Sequence, residues 1–70
     1  MLSHITEKLL ELTYHSNPQI RIASLHALGE SAKPLTHVVN RLIELTDDQS
    51  PDVAIAAIEA LKSIYGKKGR

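Results

Sequence analysis

Apolar residues recur along this chain at intervals of three and four, in four blocks set apart by short polar breaks. In the first block Leu2, Ile5, Leu9, Leu12 and Thr13 fall on one helical face, and Leu10 widens it. Glu7, Lys8 and Glu11 lie elsewhere on the cylinder. The pattern predicts a helix that starts with Ser3 as its N-cap and stops near Tyr14–His15. His15-Ser16-Asn17-Pro18 is the first break, since Asn caps well and proline at the first helical position loses no hydrogen bond. A second helix should then run from Pro18 to about Ala32. Its predicted core face holds Ile20, Ala23, Ser24, Ala27 and Leu28. Pro34 enforces the second break and pushes Lys33 towards extended geometry. Leu35, Val38, Val39, Leu42, Ile43 and Leu45 form the apolar face of a third helix. Ser50-Pro51-Asp52 opens a fourth, with a cap residue, proline at N1 and an acid in the first turn. It should reach Tyr65, with Gly66 as the C′ residue.

The second half of the pattern repeats the first. Laid without gaps over residues 34–66, residues 1–33 give eleven identities, among them His4/His37, Leu9/Leu42, Pro18/Pro51, Ile22/Ile55, Ala27/Ala60 and Leu28/Leu61. Close exchanges such as Ile5/Val38, Ile20/Val53 and Leu25/Ile58 extend the match. Each unit reads as a helix–turn–helix. Two such units stack into an all-α architecture, a right-handed α-solenoid fragment of four helices. Residues 1–66 form the expected domain, with repeat one at 1–33 and repeat two at 34–66. Residues 67–70 form a basic tail expected to be disordered.

Composition narrows the function classes. A chain of 70 residues makes one domain at most and buries only about 60% of its unfolded surface. There is no Cys, Trp or Phe, so neither disulfides nor large aromatics hold the core. Eight basic and eight acidic residues cancel, which removes a general electrostatic attraction to nucleic acid or anionic membrane. No apolar run approaches the roughly 20 residues of a membrane span. The first residues lack the pattern of a signal peptide. A cytoplasmic setting is expected, with the nucleus as the alternative. The initial Met and the basic tail read as true chain ends and slightly favour a small free-standing protein over the alternative, a piece of a longer solenoid.

The stretch Ile20-Arg21-Ile22-Ala23-Ser24-Leu25-His26-Ala27-Leu28-Gly29 resembles the second helix of the HEAT repeat, which reads V-R-x-A-A-x-x-A-L-G. The resemblance covers residues 1–66, and Pro18 and Pro51 match the family's turn proline. It implies an α-solenoid whose second helices line a concave, partner-binding surface. The family usually carries an Asp three residues before the proline and an Arg three residues after it. Repeat one has Arg21 but His15 at the Asp position; repeat two has Asp48 but Ala54 at the Arg position. The surviving pair, Arg21 and Asp48, is expected to form one bond between the repeats. The plain alternative is two separate surface charges.

Ile22 and Leu25, with Ile55, Ile58 and Tyr65, point away from the predicted core face of their helices. Side by side on the concave surface they would form an apolar ridge, the expected partner-binding site. The alternative is that the helices turn to bury part of it. The favoured function is a protein–protein interaction or scaffold module acting through that ridge. The next reading is a small chain that associates with itself as a homo-oligomer. An enzyme accessory subunit and a nucleic-acid binder rank below both.

No catalytic, cofactor or metal site is expected, and no small-molecule substrate. His4, His15, His26 and His37 show no HxxxH or HExxH spacing. Iron-dependent deoxyhypusine hydroxylase is HEAT-like, but it carries paired His-Glu where this chain has Ile22-Ala23 and Ile55-Ala56. No base is placed to activate Ser24 or Ser31.

Overall fold

A computed structural model describes residues 2–66, with side chains from His4 onward; the expected disorder of 67–70 lies outside these. It contains α1 (Leu2–Leu12), α2 (Pro18–Ser31), α3 (Thr36–Leu45) and α4 (Pro51–Gly66). The described residues are helices and short connections only, and the architecture is an all-α helical repeat fragment. Helix α1 packs on α2, α3 packs on α4, and α2 on α4 is the most extensive contact.

Local chemistry explains the boundaries. The Asn17 side chain accepts the Gln19 N–H at 2.8 Å and caps α2, with Pro18 in the first turn. Helix α2 ends where Ala32 turns extended, two residues before Pro34. Helix α3 starts after Leu35 without a side-chain cap. In α4 the Ala54 N–H reaches the Ser50 carbonyl, and Asp52 sits in the first turn. Two expectations shift. Helix α1 already begins at Leu2, so Ser3 is inside the helix. Gly66 is the last residue of α4 rather than a left-handed C′, and no described glycine has a positive φ.

The core joins both repeats. Leu10, Leu25, Leu28 and Ala32 come from repeat one. Val38, Leu42, Leu45, Val53, Ala56, Ala57, Ala60 and Ile64 come from repeat two. This revises the expected faces. On α2 the buried set is Ser24, Leu25, Leu28 and Gly29, while Ala23 is exposed and Ile20 and Ala27 are half-buried. On α1, Leu10 is buried and Ile5 is open. The physical reason is that α2 has neighbours on two sides, α1 and α4. Among the described residues no helix packs extensively on its side towards Ala23, and Ile20 and Ala27 at the edges of that side are only half-covered.

Candidate interaction surface

Helices α2 and α4 meet most closely at Gly29. A Cβ placed there would stand 2.9 Å from Ala60 Cα and 3.2 Å from Ala60 Cβ, so only glycine permits this approach. Around the crossing, Ile22, Leu25, Gly29 and Ala32 are spaced i, i+3, i+7 and i+10 along α2, one continuous strip. Leu25 is 0% exposed, Gly29 and Ala32 are buried, and Ile22 is half-buried against the core. Leu25 is therefore not on an open concave ridge. It is a core residue, because repeat two lies across the strip that carries it.

The same strip on α4 holds Ile55, Ile58, Lys62 and Tyr65. Among the described residues, nothing lies across it. Ile55 is 51% exposed, Ile58 53% and Tyr65 48%. Ile43 of α3, which corresponds to buried Leu10, is exposed as well. Of the five residues expected to form a ridge, the structure keeps Ile55, Ile58 and Tyr65 together on one open face and places Ile22 and Leu25 at the junction between repeats. The groove between α2 and α4 is lined by Gly29 and Ala60 at its floor together with polar side chains, among them His26, Glu30, Glu59 and Ser63.

Two arginines bolt the repeats together. Arg41 of α3 donates from Nε to Thr13 Oγ1 and from Nη2 to the Thr13 carbonyl, both at 2.9 Å. That carbonyl lies just past the end of α1, where carbonyls lack helical partners and a cation is favoured. The guanidinium also sits 3.6 Å above the Tyr14 ring centroid, and its Nη1 donates to Glu44 at 3.0 Å. Thr13 is fully buried and donates its own hydroxyl to the Leu10 carbonyl. The helical period does not reveal Arg41 as a clamp. Its one sequence signal is that the matching position, Lys8, is also basic.

Arg21 and Asp48 do meet, Nη2 to Oδ2 at 3.5 Å. Arg21 Nη1 donates to the carbonyls of His15 and Ser16, while its Nε is buried without a partner. Asp48 accepts the Ser50 N–H at 3.0 Å, and His15 Nδ1 accepts the Asn17 N–H at the same distance. His15 thus makes the turn bond of the missing Asp, without its charge. A double-mutant cycle on Arg21→Ala and Asp48→Ala, read by chemical denaturation, should give a coupling of about 0.5–1 kcal/mol. Zero coupling would mean two independent surface charges.

All four histidines are exposed, and His37 pairs with Glu7 at 2.9 Å across the outer helices. Among the described residues no group of three or more His, Cys, Asp or Glu could hold a metal ion. No described helix is long and apolar enough to cross a membrane. A family model described as HEAT repeats matches residues 6–69. No curated protein and no solved structure matches.

Proposed function

The chain belongs to the HEAT-repeat family, and on that premise we propose that it is a protein–protein interaction module whose partner covers the open strip of α4 at Ile55, Ile58 and Tyr65. HEAT repeats generally serve as interaction scaffolds, and the observation that supports this particular face is its exposure. Three large apolar side chains, each about half exposed, share one side of one helix. Large apolar side chains gathered on one exposed helix face, here with Lys62 set among them, mark a contact site. The groove between α2 and α4 has no large aliphatic or aromatic side chain in its lining.

A photo-crosslinking residue at position 58, and separately at position 26 in the polar groove, tests this face. The reading expects protein adducts from position 58 that vanish when Tyr65→Lys is added. Adducts from position 26 alone would overturn it.

A further inference from the structure

We propose that the open side of repeat two accepts repeat one of a second copy of this chain, so that copies stack head to tail. This rests on the face assigned above and names its occupant. The template is the junction already inside the molecule. In repeat two Val38, Val53, Ala56 and Ala60 are buried, and Ala60 meets Gly29 of repeat one. The matching residues of repeat one are Ile5, Ile20, Ala23 and Ala27, and they lie open or half-open. Val38 is 0% exposed and Ile5 is 56% exposed, although both are β-branched aliphatics at the same position of the repeat. The chain therefore carries one uncovered front and one uncovered back, each with the chemistry of a contact it has already made once.

Substituting matching positions shows what a junction between copies would contain. On the α2 side Ile22 and Leu25 are replaced by Ile55 and Ile58, and on the α4 side Val53 and Ala56 are replaced by Ile20 and Ala23. One turn beyond the Gly29–Ala60 crossing, small Ala32 and large Ile64 are both buried. Their counterparts are large Tyr65 and small Ser31, so the large and small residues exchange sides.

Charges also agree. Arg41 meets Thr13 and the Tyr14 ring inside the molecule. Its counterpart Lys8 would meet Thr46 and Asp47, a cation facing an exposed carboxylate. Thr46 repeats the Thr13 geometry, with its hydroxyl on the Ile43 carbonyl. The Arg21–Asp48 pair would become Ala54 and His15, so neither member of the pair is left as a stranded buried charge. The exception is Lys62 in the place of Gly29. It holds the crossing wider than the internal one, and Tyr65 fills the added space. The incoming Glu30, which matches Ser63, brings a carboxylate to the same rim as the Lys62 ammonium.

Two variants separate the two ends. Ile58→Lys charges the back of repeat two, and Ala23→Glu charges the front of repeat one. Both positions are exposed, so circular dichroism and thermal melts should show each variant folded. In sedimentation velocity from micromolar to millimolar concentrations, the wild-type mass should rise past a dimer, because a head-to-tail contact does not close on itself. Each variant alone should stay monomeric. Their equimolar mixture should give a one-to-one heterodimer and nothing larger, since one intact back then meets one intact front.

A wild-type chain that stays monomeric throughout overturns the proposal. So does a dimer abolished by Ile58→Lys but untouched by Ala23→Glu, which is a back-to-back contact. Crosslinks from position 58 to a different protein would overturn stacking while leaving the α4 face as the interaction site. No crosslink at position 58 would remove both.

Discussion

Leu25→Ala should destabilise the protein by about 2–5 kcal/mol, the range for truncating a fully buried leucine. Stability near ~0.05–0.15 kcal/mol per residue puts this chain at roughly 4–10 kcal/mol in total, so the variant should lose about half of it. Leu25 has no exposed surface and lies where α1, α2 and α4 share one core. Its counterpart in repeat two gives the contrast. Ile58→Ala, at a position 53% exposed, should change stability by no more than about 0.5 kcal/mol at concentrations where the chain is monomeric. Chemical denaturation followed by helical circular dichroism reads both. The comparison must hold protein concentration fixed, because association shifts apparent stability. A loss below about 1 kcal/mol for Leu25→Ala would mean that α2 does not bury this side.

Gly29→Ala should also destabilise, by about 1–3 kcal/mol, against the direction of helix propensity. Alanine is favoured over glycine inside a helix by about 1 kcal/mol. Here the new methyl would stand 2.9 Å from the α-carbon of Ala60, a backbone atom that cannot swing aside. Helices α2 and α4 would have to separate, loosening the largest contact in the fold. Gly66→Ala supplies the control, because a Cβ there meets nothing within 4 Å. That substitution should be neutral or stabilise by a few tenths of a kcal/mol at a helix end. Opposite signs for the two glycines in thermal melts are the expected result. A stabilising Gly29→Ala would mean that the two helices do not approach closely.

The four helices follow from residues that act locally. Asn17, Pro18, Pro34 and Pro51 stop and start helices through backbone geometry, and they do so wherever the rest of the chain lies. The 33-residue register is equally legible, because it needs only a comparison of the chain with itself. The Arg21–Asp48 contact was open to the same logic, as the two surviving members of a repeated pair must fall at the one internal junction. Arg41 was not. Its partners are a backbone carbonyl, a hydroxyl and an aromatic face, none of which leaves a periodic mark on the chain.

By itself, then, the sequence determined the four helices, the breaks between them, the duplication and the family. Only the tertiary structure decided which side of each helix is core. The reason is that a helix in a stack is apolar on several sides, and its period reveals the helix without revealing which side has a neighbour. Ala23 and Ala56 are the same residue at the same repeat position, yet Ala23 is exposed and Ala56 is buried. Leu25 and Ile58 are near equivalents with the opposite assignment. Among the described residues, no helix packs extensively against the front of repeat one or the back of repeat two. Burial at these positions is a property of the neighbour, and no residue on the helix encodes whether that neighbour is there.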